Sequence, residues 1–255
     1  MTNLVFASLC LPLSHLLISS TALRAILVRR LGEGYFSLAY SVVALGAFAW
    51  LITAYRRGPT LSLWLAPVWV KVALLPIILG ASALVVAGLT TPNPIIVRSD
   101  CLFERPDVVQ GVLRITRNPF FWGVGLFAIA HVIATGHVSG IFAFGSVGFL
   151  ALAGASILDA KKARRHGRAW ASFAAATSNI PFLAIAQRGQ RLAWREIGLW
   201  RIALAVCVFL AALPFHQALF GGNPLASETE KAVRDAFASV RHRQEDNLHV
   251  AYWHP

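Results

Sequence analysis

From position 118 to position 158 the chain runs forty-one residues without one Asp, Glu, Lys or Arg. A soluble core breaks its apolar segments with charge every few residues, whereas a lipid-embedded helix has no reason to. One crossing takes about 20 mostly apolar residues at ~1.5 Å rise each. The stretch is therefore too long for one helix and suits two. G-H-V-S-G at 136–140 interrupts it with two glycines, which predicts a tight helical hairpin over 120–135 and 141–158.

Four further apolar runs lie at 4–23, 36–55, 72–89 and 202–220. The chain is 57% hydrophobic and 13% charged, about half the charge of an average soluble domain. Together these features predict an all-α, polytopic integral membrane helix bundle of about six transmembrane helices. Trp64 and Trp69, just before the third run, suit a membrane–water interface. The first run is not preceded by a basic residue and is followed by Arg24, Arg29 and Arg30, the charge order of an uncleaved helix rather than a secretory signal.

The net charge of +12 would suggest nucleic acid in a soluble chain. Here the cations lie in loops after the first, third and fifth runs, so topology explains them and no nucleic-acid partner is expected. Positive loops stay cytoplasmic. The expectation is a multi-pass protein of the bacterial inner membrane with both termini periplasmic, and with membrane lipids as partners. Residues 1–225 form the membrane domain, and 226–255 a polar tail in which Ser227 and Glu230 fit a helix-capping box.

Two polar connections stand out. Residues 91–107 hold three prolines, which exclude a regular helix across them. Residues 164–177 place Trp170, Phe173, Ala174 and Thr177 on one helical face behind a basic cluster. They predict an amphipathic interfacial helix with Trp170 and Phe173 in lipid and Arg164, Arg165 and Arg168 at headgroups; the alternative is that this face packs on the bundle and closes a cytoplasmic pocket. Small residues recur four apart, as in Ala83/Ala87, Ala130/Ala134 and Ala151/Ala155, which either brings helices close in lipid or reflects the abundance of alanine.

No nucleotide loop, catalytic elbow or H-E-x-x-H motif is present. Cys10, Cys101 and Cys207 form no C-x-x-C pair, so neither a disulfide framework nor structural zinc is expected. Glu33, Glu104 and Asp107 read as solvated or paired, and Asp159 as a local partner of Lys161 and Lys162. The informative residues are the intramembrane histidines His15, His131 and His216. Ionisable groups in lipid are costly and mark function, although a lone imidazole also serves as an ordinary inter-helix hydrogen-bond partner. The apolar runs contain no carboxylate, so haem suits these ligands better than zinc or bare iron. Arg24, Arg114, Arg117 and Arg201 are candidate propionate partners by position. His15 and His131 each lie about eleven residues into antiparallel runs, an offset of several ångströms; His216 is the alternative partner of His131.

A series of segments in order carries a resemblance. They are S-H-L-L near the start, L-G-E-G-Y-F-S-L-A-Y-S (31–41), L-T-T-P-N-P (89–94) and G-V-L-R-I-T-R-N-P-F-F-W-G (111–123). A-I-A-H-V-I-A-T-G (128–136), L-D-A-K-K-A (158–163), G-R-A-W-A-S-F-A-A-A-T-S-N-I-P-F (167–182) and F-H-Q-A-L-F-G (215–221) complete it. The chain resembles the NnrU family of bacterial membrane proteins, which shares a domain with plant 15-cis-zeta-carotene isomerase. The resemblance implies an all-helical membrane domain linked to nitrogen-oxide (denitrification) metabolism or to a haem-dependent, isomerase-type reaction on a hydrophobic small molecule. It also implies a b-type haem, with His15 and His131 where the ligating histidines fall. Where the family commonly has R-H-P, this chain has Arg117-Asn118-Pro119, which removes any role needing that imidazole. R-x-P-x-x-x-G followed by a hairpin and G-x-x-W-x-x-F is also similar to isoprenylcysteine carboxyl methyltransferases, which bind S-adenosylmethionine. A third class is a non-enzymatic membrane assembly or regulatory protein.

Overall fold

A computed structural model describes residues 1–20, 22–96 and 99–220. The polar tail, with its Ser227/Glu230 capping box, lies outside the described residues. Among the described residues the helices are α1 (Thr2–Ser20), α2 (Ala22–Arg56), α3 (Val68–Thr90), α4 (Pro119–Thr135), α5 (Val138–Ala176), α6 (Leu183–Ala186), α7 (Trp194–Ile197) and α8 (Leu199–Phe220). Two 3₁₀ turns, Asp100–Glu104 and Gly111–Arg114, punctuate the proline-rich connection, as its composition predicts.

Among the described residues, four helices are long and apolar enough to cross a membrane: α2, α3, α5 and α8. The apolar helices α1 and α4 have 19 and 17 residues, at the short end of what spans a bilayer. The chain is thus a membrane helix bundle whose six apolar helices coincide with the six apolar runs. Pro119 opens α4 where a missing N–H costs nothing. Gly136 closes it in the left-handed conformation at φ 64°, making the hairpin turn. α5 then runs 39 residues to Ala176, past the apolar part, with a corner at Gly167.

Packing sets the lateral order α8–α3–α4–α5–α1–α2, each helix resting on its neighbour. Close approach rests more on glycine than on the alanine pairs. A Cβ on Gly123 would lie 2.6 Å from the Ala81 carbonyl oxygen of α3, and one on Gly125 2.7 Å from Leu152 of α5. Of the alanine pairs, Ala87, Ala130, Ala151 and Ala155 are buried, while Ala83 and Ala134 are only partly so. Lipid is as apolar as leucine, so contact between backbones is what holds such helices together.

The bundle has two chemically distinct ends. One, the basic end, carries the start of α4, the far part of α5 and the connections 91–118 and 177–198. The opposite end carries Arg56, Arg57 and Lys71 with the α4–α5 turn. There the loop between α2 and α3 is strapped to the turn: Leu63 and Trp64 N–H donate to the Gly136 carbonyl at 2.8 and 3.2 Å, and Trp64 Nε1–H donates to Ile133 O.

One expectation changes here. Residues 164–166 and 168–176 are helical on either side of the Gly167 corner, and Arg164, Arg165 and Arg168 are exposed. Their apolar face, however, packs on protein rather than lipid. Trp170 and Phe173 are 8% and 3% exposed, clustered with Val112, Leu113, Ile95 and Ala87. The 91–118 connection supplies that cover. A variant keeping Trp170 as its one tryptophan should resist quenching by both acrylamide and brominated lipid; strong quenching by brominated lipid would contradict this packing.

Candidate functional site

Two polar constellations interrupt the apolar bundle. The first is the histidines. In α4 the carbonyl of Phe127 lies 2.8 Å from His131 Nδ1, and in α1 the carbonyl of Leu11 lies 2.9 Å from His15 Nδ1. A carbonyl only accepts, so Nδ1 carries a hydrogen in both rings, and in the neutral imidazole the lone pair is then on Nε2. That tautomer is the one in which a histidine ligates a metal through Nε2 while a backbone oxygen orients the ring.

Their surroundings differ. His131 is 8% exposed, its ring centroid 3.9 Å from Phe127, 4.8 Å from Phe144 of α5 and 6.1 Å from His216 of α8, whose plane is tilted by only 20°. His15 is partly exposed and meets Tyr40 of α2 edge-on at 5.6 Å. The structure brings His131 and His216 together and leaves His15 elsewhere. α5 lies between α1 and α4. Leu4 and Ala7 of α1 share a cluster with Ala143, the neighbour of Phe144, so His131 sits level with them. His15 is eight residues past Ala7, about 12 Å further along the axis.

His131 is four residues from the end of α4, at the opposite end from the four arginines expected to meet propionates. Those arginines are engaged elsewhere: Arg24 with Glu33 at 2.6 Å, Arg114 with Glu196 at 2.7 Å, Arg117 with Asp159 at 2.7 Å and Arg201 with Thr90 at 2.9 Å.

The second constellation closes the basic end. Arg117 Nε and Nη2 both donate to Asp159 Oδ2, and its Nη1 to Thr177 O at 3.3 Å. The guanidinium stands 5.4 Å over the Trp170 ring. Asn118 Nδ2 donates to Asp159 Oδ1 at 2.9 Å and to Asn179 Oδ1 at 3.0 Å. Trp122 Nε1–H reaches the same Asn179 oxygen, and Thr116 Oγ donates to Asn179 O at 2.6 Å. Asn118 is 2% exposed, and its Oδ1 has no hydrogen-bond donor among the described residues. T-R-N-P, L-D and T-S-N-I-P, separate in sequence, thus meet in one buried network.

This network corrects the reading of Asp159. Its partners are Arg117 and Asn118 from forty-odd residues away, not Lys161 and Lys162. Lys162 instead turns under the connecting loop to bind Asp100 and the Pro94 carbonyl, the latter at 2.8 Å. His166 Nε2 lies 3.3 Å from the same carboxylate. Glu33 and Asp107 are paired as expected, with Arg24 and Arg105.

Glu196 fastens the last connection. Its carboxylate accepts from Arg114 Nε at 2.7 Å and from the Gly111 N–H at 2.8 Å. Arg114 first, then the Gly111 N–H, hold its carboxyl below the ordinary value of 4.5. A lowered folded-state pKa contributes stability that is complete above the unfolded value and lost as pH falls through the folded one. Exchange of the Gly111 amide relative to its intrinsic rate should therefore rise once pH drops below about 4.5 in the wild type. In Glu196→Gln it should be raised already at pH 7 and show no step; an unchanged acid step in that variant would refute the strap.

An all-helical, multi-pass membrane fold with an intramembrane histidine pair at one end and a buried Arg–Asp–Asn network at the other defines the class. Residues 3–224 match the family model described as NnrU protein, nearly the whole chain, and the chain belongs to the NnrU family. No curated protein and no solved structure matches it.

Proposed function

We propose that this NnrU-family protein binds a b-type haem within the membrane, and that His131 and His216 would hold it. The observation that carries the reading is the 6.1 Å spacing of two nearly parallel imidazoles on separate helices. Two imidazoles this close on separate helices are residues that would hold haem iron between them. His131 already has the ligating tautomer, fixed by the Phe127 carbonyl. Phe127 and Phe144 supply apolar walls. The donor set of two imidazoles without a neighbouring carboxylate suits haem iron. This reading keeps His131 from the sequence expectation and replaces His15 by His216, because α5 separates the first pair.

Haem would supply one-electron or Lewis-acid chemistry in lipid; the chain's own residues orient the ligands and exclude water. Lys71, Arg56 and Arg57 are the cations at the same end of the bundle. By resemblance, the setting is nitrogen-oxide metabolism or an isomerase-type reaction on a hydrophobic small molecule. The excess of cations at the basic end supports placing that end in the cytoplasm, with the chain in a bacterial inner membrane.

An absorbance spectrum of the purified full-length protein, oxidised and dithionite-reduced, tests the proposal. A low-spin b-type spectrum at about one haem per chain is expected when haem supply is ample. A colourless protein under those conditions would overturn it. Calorimetric binding of S-adenosylmethionine to such a colourless protein would favour the methyltransferase-like reading instead.

A further inference from the structure

α1 and α5 meet through Leu4, Ala7 and Leu11 on one side and Ala143 on the other, but they do not close along their whole length. Beside that seam they leave a groove of about 300 Å³, within the size range of small-molecule sites. Pro12 and Leu16 of α1 and Phe142 and Phe149 of α5 give it apolar walls, and no charged side chain lines it. The groove lies on the α1 side of α5, whereas His131 meets Phe144 on the α4 side, so it belongs to neither polar constellation.

Two hydroxyls interrupt these walls, Ser8 and Ser146. Ser146 Oγ donates to the Ala143 carbonyl at 2.9 Å, which leaves its oxygen able to accept. Ser8 is 3% exposed, and its Oγ has no hydrogen-bond partner among the described residues. A serine within a helix commonly bonds the carbonyl four residues back, as Ser82 and Ser156 do. Ser8 also stands four residues before Pro12, which has no N–H to give to the Ser8 carbonyl. One turn of α1 thus presents a hydroxyl without a partner and a carbonyl without its usual helical donor. In lipid, where water cannot satisfy them, such groups are costly.

We propose that this groove binds a long-chain alcohol, a hydrocarbon molecule bearing one hydroxyl. That hydroxyl accepts from Ser8 Oγ and donates to the Ser8 carbonyl or to Ser146 Oγ, whereas a ketone or an ether can only accept. The hydrocarbon chain lies along Pro12, Leu16 and Phe149. A phospholipid does not match the site: Ser8 lies six residues into α1, about 9 Å below its start, and no cation lines the groove to meet a phosphate. The site is independent of the haem proposed between α4 and α8.

The test uses the full chain in phosphatidylcholine nanodiscs, with hexadecan-1-ol carrying a mid-chain diazirine as the photoprobe. Labelling should concentrate in residues 8–16 and 141–149. Unlabelled hexadecan-1-ol should compete at about fivefold lower concentration than hexadecane, the worth of about one net hydrogen bond. Ser8→Ala, which deletes only the unpaired hydroxyl, should abolish that difference while melting no lower than wild type. Ser146→Leu, which fills the groove, should reduce labelling of both segments. Equal competition by alcohol and alkane in the wild type, or an undiminished preference for the alcohol in Ser8→Ala, would overturn the proposal.

Discussion

Asp159→Ala is expected to lower the stability of the folded protein by about 3–5 kcal/mol, the usual cost of stranding a buried charge. Arg117 and Asp159 expose only 15% and 12% of their side chains, so water cannot replace the lost carboxylate. The same carboxylate also accepts from Asn118 Nδ2, which sits in a fully enclosed position at the start of α4. Removing it therefore leaves the guanidinium charge with only the neutral Thr177 carbonyl, and the amide with only Asn179 Oδ1, as acceptor. Arg117→Met/Asp159→Leu should be less damaging than Asp159→Ala alone, because replacing both charges by apolar groups removes the uncompensated ion. Thermal unfolding in mild detergent measures the set. An Asp159→Ala variant within 1 kcal/mol of wild type would mean that the pair is solvated and that the network does not close this end.

The second large effect is at the opposite end. Gly136→Val should cost about 2–5 kcal/mol, combining a left-handed conformation with overpacking. Gly136 has φ 64°, and a Cβ there would run into the Trp64 carbonyl oxygen. The Gly136 carbonyl also receives two N–H groups from the α2–α3 loop. Valine would push the loop away and loosen the hairpin below which His131 sits. The same substitution at Gly145, where an added Cβ meets nothing, should cost far less. Equal losses at the two positions would show that helix propensity in α5, rather than the turn, dominates.

The helices were legible in the sequence because lipid imposes a local rule: a charge-free run of sufficient length is a span wherever it occurs. The turn at Gly136 was legible for the same reason. What the sequence did not disclose was lateral order. The family resemblance made His15 and His131 a pair despite an offset of several ångströms in depth, but nothing local states that α5 is inserted between their helices. His216 is distant in sequence and meets His131 because α8 folds back against α3. Asp159 misled through proximity: Lys161 and Lys162 are adjacent in sequence, whereas Arg117 is brought to it by the hairpin. Lys162 itself is drawn away by Asp100 and the Pro94 carbonyl. Trp170 and Phe173 illustrate a further limit. An amphipathic pattern shows which face is apolar, not whether lipid or protein covers it. Here the cover is the 111–116 turn, held in place by Asn93, which donates to the Arg117 carbonyl at 3.0 Å and caps Ile95.

The intramembrane pairing of His131 with His216 is the centre of the functional account, and the reduced spectra of three alanine variants test it most directly. His131→Ala should lose at least about 90% of bound haem, since it removes a proposed ligand whose ring the Phe127 carbonyl orients. His216→Ala should retain some haem but shift it from a six-coordinate low-spin to a five-coordinate high-spin spectrum. His15→Ala should keep both the wild-type spectrum and the wild-type stoichiometry. Loss of haem in His15→Ala together with an unaltered spectrum in His216→Ala would contradict the account.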